Sequence, residues 1–181
     1  DRNGKMSYQY IYWTVESKCD IDVTDNHGNT ALMIAIINNS IDVSKYLIDS
    51  RADVGMINVD GDTALICTAR HTYYSQISKY LIESRADINM KNANGNTALL
   101  CASLNGNNAV AKYLIESKCD TDAKNNKGDT PAKGIATQME DTALICAVIK
   151  NHSDIAEYII DSRADIDAID SDGNTALMYA T

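Results

Sequence analysis

The residues of this chain best equipped for chemistry are three histidines and five cysteines among 181 residues. His27, His71 and His152 could bind a metal or carry a proton, but no two of them have the spacing of an H-E-x-x-H helix. No glycine-rich phosphate loop or nucleophile elbow accompanies them. Cys67, Cys101 and Cys146 fall at one place in successive, similar segments. Such a column would suit a metal or a redox pair, but it suits equally well small thiols that fill a tight contact between helices, which is the reading adopted. Cys19 and Cys119 stand where matching segments have alanine, so they too read as small buried residues. An odd number of cysteines without close pairs fits neither a disulfide framework nor a zinc site. Asp60-Gly61-Asp62 is too short for a calcium loop. Tyr46, Tyr80, Tyr113 and Tyr158 repeat within an apolar stripe, which predicts core rings with hydroxyls that reach an edge. No catalytic residue, cofactor or metal follows from these patterns, and the chain reads as not an enzyme.

The bulk composition narrows the partners. With 45% hydrophobic residues, 23% charged residues and one proline, the chain is of the folded, core-forming kind. A formal charge of -9 argues against a nucleic-acid backbone as partner, since phosphate binding needs a basic surface. No run approaches the length of a membrane span, and "DRNGKMSYQY" lacks the build of a signal peptide. Protein partners and a cytoplasmic setting are the expectation, with no membrane insertion.

The elements that position these residues follow from a period. "DNHGNTALMIAIINNSIDVSKYLIDSRADVGMI" (25–57), "NVDGDTALICTARHTYYSQISKYLIESRADINMK" (58–91) and "NANGNTALLCASLNGNNAVAKYLIESKCDTDAK" (92–124) align almost throughout, with one insertion near Tyr73-Tyr74. A repeat of this length marks a solenoid, in which each unit buries its apolar face only against its neighbours. Gly28, Gly61, Gly95, Gly128 and Gly173 sit in polar tips where the chain reverses. Thr30, Thr63, Thr97, Thr130 and Thr175 follow two residues later, placed to cap a first helix. A second, amphipathic helix such as "IDVSKYLIDS" completes the unit.

The phrase D-x-x-G-x-T-[AP]-L-x-x-A, followed by V-x-x-[YL]-L-I-x-x-x-[AC]-D, resembles the ankyrin repeat. The resemblance covers nearly the whole chain. It implies an all-α solenoid of stacked helix-turn-helix units joined by β-hairpin-like turns, with a concave side made of tips and first helices that binds proteins. The chain departs from the family pattern at three places. The proline of Thr-Pro-Leu-His is alanine at Ala31, Ala64, Ala98, Ala143 and Ala176 and survives only as Pro131. The histidine is replaced by Met33, Ile66, Leu100, Ile145 and Met178. Where the family has Gly-Ala-Asp after the second helix, this chain has Lys18, Arg51, Arg85, Lys118 and Arg163. A left-handed backbone there would cost each about 1–2 kcal/mol, more than the roughly 0.3–1 kcal/mol that a cation recovers at a helix C-terminus. The row reads either as a ladder for an acidic or cytoskeletal surface or as solvated dipole compensation.

Two places break the period. The phrase that starts at Thr130, with Pro131 in the alanine place, starts again at Thr142, only twelve residues later, and Gly4 precedes Gly28 by only 24 residues. The expected organisation is one array with units 1–24 (partial), 25–57, 58–91, 92–124, 125–136 (partial), 137–169 and 170–181 (partial). A missing helix pair would expose its neighbours' apolar faces at about 25 cal/mol per Å2, so the favoured account is that residues of the array are absent from this sequence. The stop within a first helix likewise predicts that the open ends are covered by more chain or by a neighbour.

Positions that differ between units are free to carry specificity. On the tips these are Asn26, His27 and Asn29; Val59, Asp60 and Asp62; Ala93, Asn94 and Asn96; Asn126, Lys127 and Asp129. On the first helices they are Ile37, Asn38, Arg70, His71, Leu104, Asn105, Ile149 and Lys150, with the Tyr73-Tyr74 insertion beside them. Their mixture of apolar, polar and aromatic types is that of a protein interface. The expected function is a non-catalytic scaffold that binds proteins through its concave face within a larger chain or assembly. The alternatives are a regulatory or targeting arm of an enzyme, or a structural component of a cytoskeletal filament.

Overall fold

A computed structural model describes residues 20–71, 75–126 and 141–180. Lys18, Cys19, Tyr73, Tyr74, Lys127, Gly128, Asp129, Thr130 and Pro131 lie outside these residues, as does nearly all of the unit at 1–24. Among the described residues the helices are α1 Ala31–Ile37, α2 Ile41–Asp49, α3 Ala64–Ala69, α4 Ser75–Glu83, α5 Ala98–Asn105, α6 Asn108–Glu116, α7 Ala143–Ile149, α8 Ser153–Asp161 and α9 Ala176–Tyr179. Among the described residues the extended pairing is single bridges, Thr24 with Thr30, Ile57 with Thr63 and Ile169 with Thr175. This is the all-α solenoid with hairpin-like turns that the repeat implies.

Each unit is built by local hydrogen bonding. The hydroxyls of Thr30, Thr63, Thr97 and Thr142 accept the backbone N–H of Met33, Ile66, Leu100 and Ile145, satisfying donors that the first turn leaves open. Thr175 makes no such bond. The first helices are apolar on nearly all sides because they are sandwiched. Leu32, Met33, Leu65, Ile66, Leu99, Leu100, Leu144 and Ile145 are at most 4% exposed. α1, α3, α5, α7 and α9 pack in a row, and α2, α4, α6 and α8 form a second row behind them.

Beyond α2, α4, α6 and α8 the chain turns through Arg51, Arg85, Lys118 and Arg163 with φ of 68°, 66°, 60° and 66°. These are the left-handed positions that the sequence suggested, a conformation that costs a non-glycine residue about 1–2 kcal/mol. The N–H groups of Ala52, Ala86 and Cys119, which follow three of them, reach back to Leu47, Leu81 and Leu114, closing those helix ends as a left-handed cap does.

The tip before Thr142 closes through two residues far apart in the chain. Asn125 N–H donates to the Asp141 carbonyl at 3.3 Å, and Asp141 N–H donates to Asn125 Oδ1 at 3.1 Å. These are the closures that Asn58 and Asp62 make across four residues, here made across sixteen. α7 packs directly on α5 and α8 on α6. We propose that Asn125 and Asp141 belong to one tip, in place of the division into 125–136 and 137–169.

A second inter-unit ladder runs behind the tips. The side chains of Asp22, Asn89 and Asp122 accept the backbone N–H of Asp53, Asp120 and Asp165 in the next unit at 2.8–2.9 Å. The corresponding position in the unit 25–57 is Gly55, which has no side chain for the N–H of Asp87. A Cβ built at Gly55 meets only the Asp53 carboxylate. Gly55→Asn is expected to complete the ladder and stabilise the fold by about 1 kcal/mol, seen as a rise of roughly 2–4 °C in the melting temperature. An unchanged or lower melting temperature by calorimetry would refute the ladder's contribution.

Candidate protein-binding surface

The tips are rigid because one side chain in each acts as a backbone acceptor. The Oδ1 of Asp25, Asn58, Asn92 and Asp170 accepts the N–H groups two and four residues later at 2.8–3.0 Å. Gly28, Gly61, Gly95 and Gly173 take φ of 72–80° to make the reversal. At Gly61 and Gly95 a Cβ would also lie within 2.6 Å and 2.3 Å of the next tip's backbone. Adjacent tips are joined directly. Val59 N–H donates to the His27 carbonyl, Ala93 N–H to Asp60 and Asn126 N–H to Asn94, at 2.9–3.0 Å. Asn58 Nδ2 bonds Asn29 Oδ1 at 3.1 Å and Asn92 Nδ2 bonds Asp62 Oδ1 at 2.7 Å. The Asp25 carboxyl is held below its ordinary value, first by the N–H of Asn29 and then by that of His27.

The variable positions differ in exposure. Asn26, His27, Ile37, Asn38, Val59, Asp60, Arg70, His71, Asn94, Asn105, Ile149 and Lys150 are exposed, Asn29, Asn96 and Leu104 are half-buried, and Asp62 is buried. Asn38 and Asn105 spend their amide N–H on their own helices, at the carbonyls of Ile34 and Cys101. Leu104 packs on the core. Eight of the predicted residues, His27, Asn29, Ile37, Val59, Asp60, Asp62, Arg70 and His71, line one groove of about 400 Å3 with Asn58 and Cys67. Asn94, Asn96, Leu104, Asn105, Ile149 and Lys150 do not line it.

The structure changes the roles of Asp62 and Arg70. Asp62 is 3% exposed. Its carboxylate receives Arg70 Nε at 2.8 Å and Arg70 Nη2 at 3.1 Å in a bidentate pair. Arg70, an interface candidate, also serves as the counter-ion of a buried acid. Sequence spacing hid the pair, because the partners are eight residues apart in a tip and at a helix end. A faint signal existed: the units 25–57 and 92–124 have asparagine and an aliphatic at the same two places, Asn29 with Ile37 and Asn96 with Leu104.

The thiols are silent in this surface. Cys67, Cys101, Cys119 and Cys146 are buried, and burial, as the first cause, pushes Cys67, Cys101 and Cys119 up to about 12. On the opposite side, Tyr46, Tyr80, Tyr113 and Tyr158 are half-buried. The Tyr80 hydroxyl donates to Asp49 of the preceding unit, and Lys45 and Lys112 lie over the Tyr80 and Tyr158 rings at 5.8 and 5.7 Å. Among the described residues no group of three or more His, Cys, Asp or Glu is placed to hold a metal ion. Among them no helix is long and apolar enough to cross a membrane.

Two outcomes follow. Arg70→Ala is expected to lower stability by about 1–3 kcal/mol, less than for a fully buried pair because Arg70 is partly solvated. Asp62→Asn with Arg70→Leu should restore it to within about 0.5 kcal/mol; urea unfolding that finds the double variant as weak as Arg70→Ala would refute the pairing argument. Cys67, Cys101 and Cys119 should stay unmodified by a thiol reagent at pH 8 in the native protein and react on unfolding; rapid native labelling, mapped by mass spectrometry, would contradict their burial.

The family model for "Ankyrin repeats (3 copies)" matches residues 3–92, 69–141 and 131–181. No curated protein matches the chain. Ankyrin repeats generally mediate protein–protein interaction, and as domains they are typically non-catalytic. With the tip, the two-helix unit and the stacking all in register with that match, the chain belongs to the ankyrin-repeat family.

Proposed function

We propose that this protein is a non-catalytic scaffold that holds partner proteins along the face formed by its tips and first helices. The observation that carries the reading is the convergence of eight between-unit variables on one groove, while the residues that stay constant are spent on caps, tips and core. The groove offers exposed aliphatic side chains, Ile37 at 44% and Val59 at 67%, beside polar neighbours, the composition of a protein interface. A cytoplasmic setting and membership of a larger chain or assembly belong to the same reading, as does the lack of a nucleic-acid role, which the charge of -9 supports.

The row of Arg51, Arg85, Lys118 and Arg163 supports an acidic or cytoskeletal partner less well. All four are exposed, but each has an acid two residues before it, at Asp49, Glu83, Glu116 and Asp161, and another two residues after, at Asp53, Asp87, Asp120 and Asp165. That edge carries two negative charges for every positive one. It would repel an anionic lattice rather than steer one.

Ile37→Ser, Val59→Ser and Ile149→Ser together are expected to weaken capture of the protein's own cellular partners at least tenfold, with an unchanged thermal melt. A parallel variant reverses the four edge cations to glutamate. Capture lost only in the edge variant would replace the concave-face reading with an edge-binding one.

A further inference from the structure

We infer that the groove between the units 25–57 and 58–91 is a pocket for a single lysine or arginine side chain of the partner protein, its stem on Ile37 and Val59 and its charged head on Asp60. The inference rests on the concave-face reading and gives its partner a chemistry. The groove holds one cation, Arg70, and that cation is spent. Both its Nε, at 2.8 Å, and its Nη2, at 3.1 Å, are committed to Asp62, so the pair presents little net charge to a ligand. Asp62 itself is closed from the other side by Asn92 Nδ2 at 2.7 Å.

Asp60 is left over. It is exposed and lines the same groove, and the ion pairs among the described residues, Arg70 with Asp62 and Lys79 with Glu83, do not include it. The carboxylates of the lining therefore exceed its arginine by one. A free carboxylate beside two solvent-exposed aliphatic side chains is complementary to an amphipathic side chain, a methylene stem that ends in a cation. An acidic ligand would meet Asp60 with no free cation to offset it, and a purely aliphatic one would leave that carboxylate partly desolvated and unpaired. The volume of about 400 Å3 admits such a side chain together with its backbone.

The position also tolerates the change that tests it. Asn94 occupies the place of Asp60 in the next tip, and His27 does so in the preceding one, so Asp60→Asn keeps a residue type the tip already accommodates. The probes are three peptides, Ac-Leu-Arg-Leu-NH2, Ac-Leu-Glu-Leu-NH2 and the same peptide with norleucine at the centre, titrated into the 15N-labelled full chain. The arginine peptide is expected to shift the amides of Val59, Asp60 and His71 saturably, with at least tenfold tighter binding than either of the others. Asp60→Asn should reduce that preference to about threefold or less, and raised salt should weaken it. Equal or tighter binding of the glutamate or norleucine peptide at the same amides overturns the basic-side-chain inference and leaves the concave-face reading in place. So does a preference that survives Asp60→Asn. If no peptide moves these amides, the inference falls; if capture is also indifferent to the Ile37, Val59 and Ile149 variant, the concave-face reading falls with it.

Discussion

The architecture depends on one side-chain oxygen per unit. In each regular tip an aspartate or asparagine accepts two backbone N–H groups of its own turn, doing with a side chain what a strand ladder does with a backbone. This closure fixes the glycine in its left-handed conformation and delivers the threonine to its cap. It also leaves the tip's remaining N–H and C=O groups aligned with those of the next unit, where they bond across the junction. Asparagine and aspartate serve interchangeably because only the oxygen is needed. Asparagine adds a donor, which Asn58 and Asn92 use to reach the preceding unit.

This local economy explains why the array accepts irregularities that would disrupt a globular core. Asn125 and Asp141 are sixteen residues apart in the chain, and the closing bonds still form. The left-handed arginines and lysine are tolerated for a similar reason. Each is strained by about 1–2 kcal/mol, but the strain is local to a helix end whose neighbour is buried: Ala52, Ala86, Cys119 and Ala164 are 7–8% exposed. In a quasi-one-dimensional fold such costs stay within a unit and its junctions.

Much of this was legible in the sequence. The period, the caps at Thr30, Thr63 and Thr97, the tip glycines and the left-handed positions all follow from short-range rules in which a residue type has one physical job. The closure of Asn125 with Asp141 was less legible, because Gly128-x-Thr130 reads as a tip followed by a cap while Asn125, in register with Asn92, makes the bonds. A single polar residue is a weaker textual mark than Gly-x-Thr, although it carries the closure. The Asp62–Arg70 pair was illegible for another reason. Its partners are set eight residues apart by the geometry of tip and helix together, a distance that no helical or strand periodicity marks.

That pair also shapes the surface around it. In the unit 92–124 the place of Arg70 is taken by Leu104, which is half-buried and packs on the core. Arg70 cannot do the same, since its guanidinium is drawn to a carboxylate at the base of the tip. Holding an arginine there satisfies a buried acid and adds a polar wall to the groove that Ile37 of one unit and Val59 of the next also line. The neutralised pair then makes the wall, and the charge that discriminates among ligands falls to Asp60. In a solenoid whose constant residues are committed to stacking, specificity can reside in so small a difference: one exposed carboxylate, set by a tip that would fold equally well with asparagine or histidine in its place.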